Sequence, residues 1–107
     1  FWAPERCFRQ WGFETRLVFD RKKFDRALDC ADAAIVFYHW AGKKGLGAHF
    51  VALEKTDTGI RGYNTYRDSG GPDDWGRSLE TFLRKRGYFG CVLLAIRKKG
   101  GENIEIG

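Results

Sequence analysis

The most informative absence in this 107-residue sequence is methionine, which does not occur at all. A chain without methionine cannot begin at its own initiator, and it opens on Phe1 and Trp2, two large aromatic residues that normally need a packing partner. We therefore expect a processed chain, an excised domain or a fragment of a larger unit. The length, without a linker or an internal repeat, predicts a single domain over residues 1–107.

Cysteines and long apolar runs are also scarce. The three cysteines, Cys7, Cys30 and Cys91, form an odd and widely spaced set, which argues against a disulfide framework and against a Cys-x-x-Cys zinc site. Unpaired cysteines favour a reducing compartment. No apolar run approaches the roughly 18 residues of a membrane span, so no membrane span is expected. No motif predicts a cofactor or a metal ion.

The residues that are abundant indicate a packed and basic domain. The apolar fraction of 43% and the aromatic fraction of 16% predict a folded core rather than disorder. The net charge is +5, and the basic residues cluster at predicted helix ends and loops, where solvated Lys and Arg are common. Nucleic-acid binding is therefore only a weak alternative. The clusters cover residues 21–23, 43–44, 84–86 and 97–99.

The apolar periodicity predicts an α+β fold. Alternating patterns predict strands over residues 14–19, 47–55 and 60–64, and continuous apolar runs predict buried strands over 33–40 and 88–97. The run over 33–40 predicts a central strand buried on both faces. Helical patterns cover residues 3–11, 21–30 and 78–86, with loops at 42–47 and 67–76 and a short edge strand at 104–106. Asp20 and Ser78 are typical N-caps of the second and third helices, and Gly87 is a typical stop for the third. This order predicts an antiparallel or mixed sheet with helices packed on one side.

The stretch over residues 47–64 is the strongest functional candidate. It predicts a β-hairpin in which His49 lies at the mouth of the first strand and Asn64 ends the second, fifteen residues later. Since the start of one strand lies beside the end of its antiparallel partner, we expect the two side chains to be neighbours. An imidazole beside a carboxamide is the orienting half of a Cys-His-Asn catalytic group. The alternative is a structural histidine and an asparagine that only terminates the strand.

The same hairpin resembles the C-terminal, His/Asn-bearing half of papain-like cysteine peptidases. The likeness is carried by Gly-Ala-His-Phe-Val-Ala-Leu at 47–53, Ile-Arg-Gly-Tyr-Asn at 60–64, Ser-Leu-Glu-Thr-Phe-Leu at 78–83 and the apolar strand that follows. It is closest to the bacterial branch that contains the double-glycine leader peptidases. The helix and strand before the hairpin also resemble that branch, and the likeness extends over about residues 12–98.

The resemblance implies a thiol peptidase in which His49 is the catalytic histidine and Asn64 the orienting residue, acting on a peptide or protein. Leader peptidases usually carry Asp at the second position, whereas papain has Asn. The family's nucleophilic cysteine follows an oxyanion-hole Gln at the start of a long helix, and no Gln-x5-Cys pattern exists here. The nucleophile is therefore expected on a missing N-terminal segment or on a partner chain, and this chain alone is expected to be inactive.

Four other residues complete the sequence hypotheses. Cys7 lies near Arg6 and Arg9, which favour a thiolate, but as a small core residue it is only a secondary candidate nucleophile. Cys30 and Cys91 are interpreted as structural residues, and His39 as a packed histidine. The alternative function is a non-catalytic papain-like domain that binds a peptide or protein through the same cleft.

Overall fold

The computed structural model describes residues 6, 9–63 and 72–98. The described residues form one six-stranded sheet in the order β1-β6-β2-β3-β4-β5, in which all neighbouring strands are antiparallel. The strands are β1 (Phe13–Val18), β2 (Ala33–Gly42), β3 (Gly45–Thr56), β4 (Gly59–Tyr63), β5 (Asp73–Asp74) and β6 (Phe89–Lys98). The helices are a 3₁₀ turn (Arg21–Lys23), α1 (Phe24–Asp29) and α2 (Leu79–Lys85). The predicted α+β class is confirmed.

Helix α1 follows the predicted apolar stripe but starts later than expected. Asp20 caps the segment by accepting a hydrogen bond from the Lys22 amide at 3.0 Å. The first turn is a 3₁₀ turn, and only then does α1 begin. Phe24 and Leu28, four residues apart and therefore on one side of the helix, are fully buried against the sheet. Their burial fixes α1 on the sheet.

Helix α2 is capped from two directions. The Ser78 hydroxyl accepts a hydrogen bond from the Thr81 amide at 3.2 Å, as the sequence predicts. The Asp25 carboxylate of α1 accepts a second bond from the Leu79 amide at 2.6 Å. Gly87, with φ of +73°, ends the helix in a conformation that favours glycine. The two helices are therefore joined by charge-assisted hydrogen bonds as well as by their buried faces.

The helices cover one face of the sheet, and this face carries most of the core. Along β2, Ala34, Val36 and Tyr38 point towards the helices and are buried. Ile35 and Phe37 point the other way and are half-buried. The prediction that this strand is buried on both faces is therefore wrong. Antiparallel sheets commonly pack one face more tightly than the other, and this sheet follows that rule.

Two predicted loops contain strands. The expected loop over residues 42–47 is a tight turn at Lys43 and Lys44, because Gly42 already pairs with Gly45. Within the expected loop over 67–76, β5 pairs with β4 at Gly62. Residues 64–71 and the predicted edge strand at 104–106 lie outside the described residues, as does most of the predicted helix at 3–11. No helix among the described residues is long and apolar enough to cross a membrane.

Candidate functional site

His49 is held inside a strand rather than at its mouth. It lies within β3, where it pairs with Tyr38 of β2, and the ladder continues beyond it to the turn at Gly42 and Gly45. The prediction that His49 follows an open loop is therefore wrong. Its side chain is on the helix-covered face and is only 9% exposed. The pairing with β2, which continues before and after His49 in the chain, fixes the orientation of its backbone.

An aromatic cluster, defined as Tyr38, Trp75, Phe82 and Tyr88, lies next to the imidazole. The Tyr38 ring meets the His49 ring edge-on, with 6.0 Å between the centroids. Tyr38 also stacks on Tyr88 at 4.0 Å, while Trp75 stacks on Phe82 at 4.1 Å. Such ring pairs add stability beyond the area that they bury. The imidazole therefore lies beside an apolar surface formed by the aromatic cluster.

Two glycines leave room for tryptophan rings on this face. A Cβ at Gly62 would lie 2.3 Å from the indole nitrogen of Trp75, and a Cβ at Gly47 would lie 2.3 Å from the Trp40 ring. Trp75 is buried, whereas Trp40 is 39% exposed at the end of β2. The indoles therefore lie directly on the backbone of β3 and β4. This close approach explains why glycine occurs at both positions.

The Tyr38 hydroxyl stays protonated at ordinary pH. Burial raises its pKa well above the usual range, and the neighbouring Tyr88 raises it further through its charge and a hydrogen bond. Arg86 opposes the shift but does not reverse it. The Tyr38 ring beside His49 is thus neutral.

Asn64, the predicted orienting residue, lies outside the described residues, so its pairing with His49 stays a prediction. The described part of β4 ends with Tyr63 opposite Ala52. Gly62 is buried on the helix-covered face, the face that carries His49. Tyr63 is more exposed and donates a 2.6 Å hydrogen bond to the Glu54 carboxylate. The hairpin strands themselves are confirmed.

No described cysteine reaches the imidazole. Cys91 is buried in β6, which is separated from His49 by β2, so the two residues are roughly 10 Å apart across two strand spacings. Burial raises the pKa of the Cys91 thiol, which disfavours a nucleophilic thiolate. Cys30 caps the far end of α1, before β2 begins, and is exposed. Cys7, the secondary candidate, lies outside the described residues.

His39 lies on the opposite side of the sheet from His49. It is adjacent in β2 to Tyr38 and so points the other way. Its Nδ1 lies 3.3 Å from the carbonyl oxygen of Phe89, and its ring stacks on the Phe89 ring with the centroids 5.6 Å apart. This position agrees with a packed histidine. Among the described residues, no group of three or more His, Cys, Asp or Glu side chains is placed to hold a metal ion.

Sequence reasoning missed the aromatic partners of the candidate base. Tyr38 belongs to an apolar run that predicts a strand, but only the register between β2 and β3 places it beside His49. Tyr88 follows a helix stop, and nothing local shows that its ring stacks on Tyr38. Register is a long-range property that depends on turn length, and the predicted loop was too long. A prediction with a two-residue turn at Lys43 and Lys44 would place Tyr38 opposite His49.

Comparison with known proteins adds no assignment. No protein-family model matches the chain. No curated protein matches it either. The interpretation of the site therefore depends on the geometry of His49 and on the sequence motif around it.

Proposed function

We propose that this chain supplies the general base of a papain-like thiol site that hydrolyses peptide bonds. His49 accepts the proton of a cysteine nucleophile, and Asn64 holds the imidazole in the required tautomer. The observation that carries the proposal is the burial of His49 in the middle of β3, paired with Tyr38 and bordered by the aromatic cluster. A base held by a sheet keeps its orientation without help from a loop.

The surroundings of His49 suit proton transfer. The nearest described ring, Tyr38, is neutral because burial and Tyr88 raise its pKa. A neutral imidazole can take the thiol proton, and the resulting thiolate–imidazolium pair attacks the substrate carbonyl. The aromatic cluster keeps bulk water from one side of the ring, which strengthens the attraction within the pair. These features support the base but do not supply the nucleophile.

The nucleophile in this proposal is Cys7, or a cysteine on a preceding segment or partner chain. Cys91 is separated from His49 by a whole strand, and Cys30 lies beyond the other end of β2. The substrate is a peptide or protein that lies along the exposed end of the β2–β3 hairpin. Trp40, 39% exposed, and Leu46, 75% exposed, offer apolar contacts there.

Peptide hydrolysis by the complete protein tests the proposal. We expect His49→Ala to lower the hydrolysis rate at least about 100-fold, the usual loss when a general base is removed. His39→Ala is the matched control, because that ring is on the opposite side of the sheet. Equal activity of the two variants would overturn the proposal. Mass spectrometry of the alkylated protein then identifies the cysteine whose reactivity near pH ~6 depends on His49.

A second candidate function is a non-catalytic domain that binds a peptide or protein in the same cleft. It is favoured by one observation, that neither described cysteine reaches His49. In that case the peptide binds equally well to the wild type and to His49→Ala, and no cysteine shows histidine-dependent alkylation. Trp40→Ala would weaken binding under both functions, so the two are separated by peptide hydrolysis and by the reactivity of the cysteines and not by this variant.

A further inference from the structure

A cleft lies between α1 and the first strand, at the end of the sheet remote from His49. Its volume is about 640 Å³. The apolar part of its lining comes from Val18, Ala27, Ala31 and Ala95, and Cys30 also lines it. Five basic side chains from β1, the 3₁₀ turn, α1 and β6 surround this apolar part: Arg16, Lys22, Lys23, Arg26 and Arg97.

The cleft concentrates the charge of the chain. Among the described lining residues, the five cations are accompanied by a single carboxylate, that of Glu14, which gives these residues a net formal charge of +4. The whole chain has a net charge of +5. The remaining residues are therefore close to neutral in sum, and the basic character belongs mainly to this one concave surface. Converging charges of one sign in a cleft focus the field on a bound counter-ion.

The cations of the cleft are not neutralised by the described acidic residues. The ion pairs of the described residues join Arg21 and Arg84 to Glu80, and Lys55 to Asp29. None of them involves a basic residue of the cleft. Glu14 is opposite Arg97 in the β1–β6 register, but the two side chains do not form one of these pairs. These exposed cations are therefore available to pair with the negative charges of a bound anion.

We propose that this cleft binds a small organic anion with at least two negative charges, such as a phosphate ester or a diphosphate. Arg16 and Arg97 approach from neighbouring strands and Arg26 from α1, so guanidinium groups surround the cleft from different sides. Arginine pairs with phosphate oxygens through two parallel hydrogen bonds. The volume is that of a site for a small molecule.

The apolar lining favours a compact organic group over a nucleic-acid strand. The four apolar residues are small or aliphatic, and no aromatic side chain of the described residues lines the cleft. Sites for single-stranded nucleic acid normally present aromatic rings on which bases stack.

The cleft is also spatially separate from His49, the candidate base. Ala95, in the lining of the cleft, lies near one end of β6, and Phe89 lies at the other end. At the usual rise per residue, these two positions are about 20 Å apart.

Calorimetric titration of the chain with inorganic pyrophosphate, and separately with a nucleoside triphosphate, tests the proposal. We expect saturable binding that weakens with added salt. The double variant Arg26→Gln and Arg97→Gln should bind at least about tenfold more weakly, because two charge-assisted contacts are lost. The control is Lys43→Gln with Lys44→Gln, which removes the same charge at the β2–β3 turn and should leave the affinity within about twofold.

The exposed thiol of Cys30 gives a second readout at the cleft itself. Bound pyrophosphate should slow the alkylation of Cys30 by iodoacetamide in the wild type but not in the Arg26→Gln, Arg97→Gln variant. Equal affinity losses in the cleft variant and the turn variant would overturn the proposal, because they would show general charge attraction only. Binding of an oligonucleotide through the same arginines, without binding of either small anion, would also overturn it.

Discussion

The two ends of the helix-covered face differ in burial and in charge. At one end His49 borders stacked and largely buried rings, and the group beside it, Tyr38, is neutral. At the other end the cleft is lined by exposed cations over a small apolar patch. The first arrangement fixes a single side chain in place, whereas the second leaves long side chains free to close on a ligand. On this one face of the sheet, burial fixes the orientation of His49 and the exposed charges attract anions.

The contrast between the buried end and the charged end also distinguishes residues that stabilise the fold from exposed residues that contribute little to its stability. Phe24, within α1, is completely buried, while Arg26, two residues later, is exposed at the cleft. Stability should therefore respond strongly to the first and weakly to the second. Substitutions at buried and at exposed positions of this face should therefore differ in their effect on the free energy of unfolding.

Removing the Phe24 ring should have the largest effect. We expect Phe24→Ala to lower the free energy of unfolding by about 3–5 kcal/mol, the usual cost of an emptied aromatic site in a core. Arg26→Gln, on the same helix, should change it by less than about 0.5 kcal/mol, as surface substitutions do. Urea denaturation measures both. A large loss for Arg26→Gln would show that the cleft cations stabilise the fold itself.

The two glycines beneath tryptophan rings should differ in their tolerance of a methyl group. Gly62→Ala forces its Cβ against Trp75, which is buried and stacked on Phe82, so we expect a loss of about 1–3 kcal/mol. Gly47→Ala meets Trp40, whose exposed ring can move aside, and should cost less than about 1 kcal/mol.

Urea denaturation and tryptophan fluorescence check this pair. Gly47→Ala should change the emission by moving Trp40 while the stability is nearly kept. If the two variants lose equal stability, the contrast between the buried and the exposed indole is wrong.

The smallest effect is a loss of stability at alkaline pH. Burial raises the folded-state pKa of both Cys91 and Tyr38 above their ordinary values of 9.0 and 10.0. As the pH rises through those values, the unfolded chain releases these protons before the folded protein does. The free energy of unfolding must then fall with rising pH, by at most about 1.4 kcal/mol per pH unit for each group.

Urea denaturation between about pH 8 and 10.5 measures this dependence over the window in which the unfolded groups ionise. Tyr38→Phe and Cys91→Ala should each flatten the alkaline decline, because each removes one group whose pKa burial raises. A decline that is the same in Tyr38→Phe as in the wild type would show that burial of the phenol is not its cause.

Local chemistry was enough to predict much of the fold. Asp20 and Ser78 cap the segments that their side chains predict, and Gly87 ends α2. The turn between β3 and β4 is confirmed as well, since Thr56 pairs with Gly59. Each of these features depends on a few neighbouring residues. The alternation along β3 is also confirmed, because Val51 and Leu53 are buried while Phe50 is exposed. In β1 the buried residue is Val18, whereas Phe19, just after the strand, is exposed.

The features that could not be predicted from the sequence depend on contacts between residues that are distant along the chain. The pairing of β5 with Gly62 involves two acidic residues that carry no strand signal. The contact of Tyr38 with His49 depends on the register between β2 and β3, which a wrong loop length obscured. The basic cleft unites side chains from four separate elements, so separate charge clusters in the sequence looked like ordinary solvated surface.

The central claim is that the buried imidazole of His49 is oriented by Asn64 to act as a base, and long-range ¹⁵N NMR of the ring nitrogens tests it most directly. The account predicts one dominant neutral tautomer of His49 in the wild type. Asn64→Ala should redistribute that tautomer, while the signals of His39, on the opposite side of the sheet, serve as the control and stay unchanged. A His49 spectrum that is the same in Asn64→Ala as in the wild type would contradict the account.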